Sequence, residues 1–222
     1  MGAQLQPIRD MATVNRITEE LSRLTDERGR RMFLMWVVGI NMGMRISDLV
    51  DLKVGDLRGQ RGYTYLPHKQ EHKRGARNIS IPIPDAVQKV IAARCGDMPD
   101  DAWLLPSRKT HPTKKKSGTQ PRSPKNRERP VNIGAISRQT ACRDMKEIAR
   151  ICRIEDRIGC HTMRKTFGYH YYRKTHNLAL LQQWFYHESP ATTLIYIGVT
   201  FDDFQSMVDK SPFGGMLDRA VL

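Results

Sequence analysis

Residues 32–40, Met-Phe-Leu-Met-Trp-Val-Val-Gly-Ile, constrain the fold of this chain more than any other stretch. Set within a helix from about Asp26 to Asn41, the run is apolar nearly all round, and a helix without a polar face must be enclosed by other elements. It therefore predicts a central buried helix. Gly43 ends that helix, and Ser47 is placed to cap a short third helix carrying Leu49, Val50 and Leu52. Arg45 falls in the turn between the two, flanked by Met44 and Ile46. With Asp48 the one acid nearby, Arg45 reads either as a clamp for a bound anion or as a structural partner of Asp48.

The elements around this centre follow from periodicity. Val14, Ile17, Leu21 and Leu24 lie on one face of a helix from Thr13 to Leu24, with Thr13 as its cap. Tyr63 to Leu66 and Asn78 to Ile83 alternate with period two on either side of His-Lys-Gln-Glu-His-Lys-Arg-Gly-Ala-Arg, giving a β-hairpin with a basic tip. Pro84 and Asp85 open a helix that ends near Cys95-Gly96, and a further helix carries Ile136, Met145, Ile148, Ala149 and Cys152. Helices are then expected from Thr162 to His176, after the cap Asn177, and after Ser189-Pro190, a cap followed by proline at the first helical position. Thr200-x-x-Asp203 opens a last short helix, ended by Gly214-Gly215. The expectation is one domain over residues 1–222, mainly α with a small antiparallel β-sheet (α+β), a basic flexible loop at 107–130 and a C-terminal tail at 201–222.

The charge balance points to the partner. Lys and Arg number 37 against 23 Asp and Glu, a net +14 with pI about 9.9. A polyanion is favoured, because each neutralised phosphate releases a counterion. Much of the excess is local: residues 107–130 hold nine Lys and Arg against Glu128 alone, +8 of the total. Pro112, Pro121, Pro124 and Pro130 in the same segment argue for a loop. Lys114, Lys115, Lys116 and Arg122 of this segment, with Lys73 and Arg74 of the hairpin tip, are the candidate nucleic-acid contacts. No apolar run approaches the roughly 18 residues of a membrane span. Cys95, Cys142, Cys152 and Cys160 form no C-x-x-C pair and suit reduced, buried thiols in a cytoplasmic, nucleoid-associated protein.

The chemistry concentrates between His161 and Tyr196. His161 and Arg164, three residues apart at a helix start, share a face and could meet one phosphate. Arginine suits two non-bridging oxygens at once through its planar fork. A phenol with an ordinary pKa near 10 needs cations and a proton acceptor to act as a nucleophile at neutral pH, and two arginines with His161 and His187 would supply them to Tyr196. Taken alone, Tyr196 is a weak signal, since a tyrosine in a helix is usually core, and His187 reads equally as a structural histidine. His68 and His72 lack the clustered carboxylates of two-metal nucleases, so no metal site is expected. Nucleotide-binding glycine motifs are missing from the sequence.

These residues, in this order, resemble the catalytic domain of the tyrosine recombinases, the phage-integrase class of site-specific DNA recombinases. Asn41-Met42-Gly43-Met44-Arg45-Ile46-Ser47-Asp48-Leu49 is similar to the family's first arginine box. Lys69 stands on the hairpin where the family carries its lysine, with Lys73 as its rival. His161-x-x-Arg164, His187 and Tyr196 complete the pattern, and the resemblance runs from about Thr13 to Asp209. It implies that Tyr196 attacks the scissile phosphate to give a 3′-phosphotyrosyl link, with Arg45 and Arg164 stabilising the phosphorane charge. It further implies Lys69 as acid for the leaving 5′-oxygen, His161 as acid and base for Tyr196, and His187 as donor to a non-bridging oxygen.

No cofactor is implied, and the implied partner is double-stranded DNA, bound by a homo-oligomer, dimer to tetramer, with no membrane. Topoisomerase-like relaxation and a non-catalytic DNA-binding module of the same fold are the alternatives. Two departures stand out. Tyr186 precedes His187 where many relatives have a small residue, and the N-terminal core-binding domain of the family is expected to be absent, since only Met1 to Ala12 precede the first helix.

Overall fold

The computed structural model describes residues 5–68, 76–110 and 133–209. Its centre is α2 (Glu27–Met42), on which Leu34, Met35, Trp36 and Val38 are at most 1% exposed. Asp26 caps it through the Gly29 amide, and Gly43 ends it in the left-handed conformation, φ 58°. α1 (Met11–Ser22) lays Val14, Ile17 and Leu21 into the core. Its cap is Asp10 rather than the anticipated Thr13. The Asp10 carboxylate accepts from the amides of Ala12 and Thr13 at 3.0 and 2.9 Å, so helical geometry starts before Thr13. The Trp36 indole finds a partner inside the core, donating to Thr18 Oγ1 at 2.9 Å.

α4 (Asp85–Cys95), α5 (Arg138–Ile151) and α6 (Cys160–Thr175) pack around α2. A buried ion pair joins α2 to α5, with Arg31 Nη2 2.8 Å from Asp144 Oδ2 and Arg28 Nε 3.2 Å from Asp144 Oδ1. Against α6, Met163 lies directly over Gly39. No helix among the described residues is long and apolar enough to cross a membrane.

The expected hairpin is β1 (Gly62–Tyr65) paired antiparallel with β2 (Ile79–Pro82), Tyr63 opposite Ile81 and Tyr65 opposite Ile79. Ile79 and Ile81 face the core while Ser80 is exposed, the alternation that a half-buried strand requires. A second sheet was not anticipated: β3 (Pro106–Thr110) pairs antiparallel with β4 (Ile133–Ala135). The stretch read as loop from Ser107 is therefore strand through Thr110. Residues 111–132 lie outside the described residues, as does the Gly214-Gly215 stop.

The C-terminal elements form a second, smaller cluster. α7 (Leu178–Phe185) and α8 (Pro190–Ile197) bury Leu181, Phe185 and Ile197 together with Tyr172 of α6. The close approach depends on Gly168 of α6, where a Cβ would stand 2.6 Å from Ile197 Cγ2 and 2.8 Å from the Phe185 ring. Asn177 and Ser189 cap α7 and α8 as anticipated, through the amides of Leu180 and Thr192. α9 (Phe201–Asp209) follows.

Candidate active site

The turn between α2 and α3 (Ile46–Leu49) carries Arg45, the second turn of α6 carries Arg164, and the two meet at the end of α7. Arg45 Nη2 and Arg164 Nη2 each donate to the Phe185 carbonyl at 2.9 Å, and Arg164 Nη1 donates to the Gly43 carbonyl. The Phe185 carbonyl is one of the orphan acceptors at a helix C-terminus, where the helix dipole also favours cations. Arg164 is 2% exposed, and its guanidinium stacks 4.0 Å above the Phe185 ring. Burial, then the nearby Arg45 charge, pushes its pKa down to about 10.

Two guanidiniums on one carbonyl repel by on the order of 3 kcal/mol at an effective dielectric of 20. Arg45 Nη1 is buried without a hydrogen-bond partner. Of the two sequence readings of Arg45, the hydrogen bonding therefore favours the anion clamp, since its partner is Phe185 rather than Asp48. Asp48, 4% exposed, instead accepts from the His68 amide at 2.9 Å, while its Oδ2 is also buried without a partner. Burial holds its carboxyl above the usual range, more than the backbone bond and the two arginines lower it. Asp48 thus anchors the hairpin strand beside Arg45, and sequence reasoning had singled it out only as a partner for that arginine.

Tyr196, on the last turn of α8, stands next to this pair. Its hydroxyl is 3.2 Å from His161 Nδ1. The His161, His187 and Phe185 rings meet the Tyr196 ring edge-on, at centroid distances of 6.4, 5.2 and 5.6 Å. His187 is oriented by Thr193 Oγ1, 3.1 Å from its Nδ1. Lys165, 4% exposed, sets its ammonium 5.1 Å from the Tyr196 ring centroid. No sequence signal marked Lys165, because its place beside Tyr196 of α8 is set by tertiary packing.

The electrostatics divide the two proton-carrying groups. Burial raises the Tyr196 pKa, and Arg164 and Arg45 pull against it, so the phenol keeps its proton at neutral pH. Burial lowers the His161 pKa, helped by Arg138, Arg164, Lys165 and Arg45. A neutral imidazole beside a protonated phenol is an acceptor facing a donor. Tyr186, the departure noted before His187, takes the left-handed conformation at φ 52° and closes α7. A residue with a Cβ there costs roughly 1–2 kcal/mol, a cost that only glycine avoids.

The structure thus brings together Arg45, His161, Arg164, His187 and Tyr196. Lys69, Lys73 and Arg74 of the hairpin tip, and Lys114, Lys115, Lys116 and Arg122, lie outside the described residues. Among those described, no three His, Cys, Asp or Glu side chains group as metal ligands would. Of the cysteines, Cys95, Cys152 and Cys160 are buried, whereas Cys142 is partly exposed.

Residues 10–202 match the model of the phage integrase family. The chain belongs to the phage integrase family. It is thus a tyrosine-type recombinase by descent. It is 31% identical over 212 residues to a probable integrase/recombinase, YoeC, of Bacillus subtilis, covering 96% of this chain and 98% of that one. The tyrosine recombinase XerA of Pyrococcus furiosus is 25% identical over 171 residues, 76% of this chain and 50% of the relative. This integrase-family chain therefore spans nearly all of the Bacillus protein and about half of the Pyrococcus one. Among solved structures, a XerA recombinase superposes with TM-score 0.66 at 17% identity, covering 93% of this chain and 64% of that one. The catalytic domain of bacteriophage HP1 integrase superposes with TM-score 0.53 at 17% identity, covering 95% and 98%. The fold is thus that of tyrosine recombinase catalytic domains.

Proposed function

We propose that this chain cuts and rejoins double-stranded DNA at specific sites, with Tyr196 as nucleophile. Tyr196 Oη attacks the scissile phosphorus and gives its proton to His161 Nδ1, forming a 3′-phosphotyrosyl bond as the P–O5′ bond breaks. Lys69 hands a proton to the departing 5′-oxygen. The amide of His68, the residue before it, donates to Asp48 of α3, three residues after Arg45, which supports that assignment. Arg45 and Arg164 bind the non-bridging oxygens and stabilise the charge of the pentacoordinate state, and His187 adds a donor. Attack by a 5′-hydroxyl from a partner duplex reverses the sequence. The phosphodiester energy stays in the phosphotyrosine, so the cycle calls for neither ATP nor metal.

The observation that carries this reading is the convergence of two arginines beside a phenol whose oxygen faces an imidazole of lowered pKa. Grip on the duplex comes from Lys73, Arg74, Lys114, Lys115, Lys116 and Arg122, in a dimer to tetramer assembled on DNA. One relative of the same fold, XerH, was captured on a palindromic difH substrate after cleavage. The test is recovery of a covalent protein–DNA adduct on a nicked suicide substrate. Wild type should yield it and Tyr196→Phe none; adduct of equal yield from the variant would remove Tyr196 from the reaction.

A further inference from the structure

His161 and Tyr196 lie 35 residues apart on different helices, yet must hold a 3.2 Å contact. The N-terminal segment, residues 5–10, grips the outer flank of each. Leu5 packs over Gly159, two residues before His161, so closely that a Cβ there would come within 2.9 Å of it. Gln6 and Pro7 pack against Gly198, two residues after Tyr196, at 3.0 and 3.1 Å from an added Cβ. Between these points the segment is tied across α6. The Ile8 amide donates to Thr166 Oγ1 at 3.0 Å, and His170 Nε2 donates to the Ile8 carbonyl at 2.9 Å.

Arg9 makes the tie to the nucleophile's own helix. Its Nη2 donates to the Gly198 carbonyl at 2.6 Å, at the residue that ends α8 in the left-handed conformation, φ 71°. The Arg9 guanidinium also lies 5.5 Å from the Tyr169 ring centroid. Tyr169 donates to Asp203 at 3.2 Å, and Asp203 Oδ2 accepts from the Thr200 amide and hydroxyl, both at 2.9 Å. Arg173 approaches Asp203 at 3.5 Å. The turn leaving α8 is thus tied to α6 and to the N-terminal segment together. A cleft of about 490 Å³ runs beside the segment, lined by Pro7, Arg9, Ile154 and Ile158 among others.

We propose that residues 5–10 form a brace that sets the position of Tyr196, and that Arg9 is the positioning residue through which it acts. Arg9 does not touch the phosphate: it fixes the C-terminal end of α8 and so the reach of the phenol towards His161 and the two arginines. The inference rests on the phosphotyrosyl reading above. Removing a charged donor from a partly exposed carbonyl should cost about tenfold in the rate of the step it positions.

The experiment measures single-turnover adduct formation on a nicked suicide substrate at saturating protein, beside DNA affinity and amide exchange over residues 190–199. Arg9→Ala should form adduct about tenfold more slowly with affinity within twofold of wild type, and α8 should exchange faster. Arg9→Lys should restore most of the rate. An unchanged rate in Arg9→Ala, a loss that appears in affinity alone, or no rescue by Arg9→Lys would overturn the brace. If wild type forms no adduct, the phosphotyrosyl reading fails and the brace is judged by exchange: unaltered protection of α8 in Arg9→Ala then overturns it too.

Discussion

The two arginines and the tyrosine rest on supports of unequal size. Arg45 follows α2, and Arg164 sits on a helix packed against α2, inside a core that encloses Trp36, Met35, Leu49 and Leu52 completely. Tyr196 stands on a cluster whose buried members are Tyr172, Leu181, Phe185 and Ile197. Fewer buried apolar contacts mean a lower free energy of local opening, so α7 and α8 should open more often than the α2 core. The two arginines thus rest on the larger cluster and Tyr196, the proposed nucleophile, on the smaller one.

The largest effect expected comes from breaking the larger support. Asp144→Ala strands Arg31 in the interior and should lower global stability by about 3–5 kcal/mol, read as a shifted denaturant midpoint. Both regions then lose protection together; a loss confined to α7 and α8 would break the comparison. A smaller, local effect is expected from Phe185→Leu, about 1 kcal/mol. Amide exchange over residues 178–197 should quicken about fivefold while α2 amides keep their rates, and equal acceleration in both would show a single cooperative unit.

The smallest effect concerns proton transfer. His161 has a lowered pKa, so it is neutral and able to accept a proton above that value, and activity falls as pH drops through it. Arg138, Arg164, Lys165 and Arg45 are the cations that hold it down, after burial. Lys165→Met removes one of them while keeping an apolar stem under Tyr196. The acid limb of the pH profile for adduct formation should move to higher pH; a limb that stays in place or moves lower would remove Lys165 from the control of His161.

The sequence carried the core, the hairpin and the caps of α7 and α8, because each has a local cause: an apolar run, a period-two alternation, or an Asn or Ser before a helix. The β3–β4 pair had none. Pro-Ser-Arg-Lys-Thr shows no alternation, and its partner strand lies more than twenty residues on. The start of α1 shifted because Asp10 offers a carboxylate to two amides at once, outdoing the hydroxyl of Thr13. For the site, residue types and order marked Arg45, His161, Arg164, His187 and Tyr196. They could not say that Arg45 would choose the Phe185 carbonyl over Asp48, since that oxygen comes 140 residues later in the chain. The bond of Asp48 to the His68 amide and the place of Lys165 beside Tyr196 escaped for the same reason: both are set by neighbours that only tertiary packing supplies.

The shared Phe185 carbonyl has a thermodynamic consequence for the encounter with a duplex. A free arginine side chain carries about 2 kcal/mol of rotamer entropy, which a flexible clamp must surrender on closing over its ligand. Here both forks are already frozen on one oxygen when the chain folds. In the proposed reaction an arriving phosphate exchanges one acceptor for a better, charged one and freezes little else, so most of its attraction to the two cations is left to appear as binding.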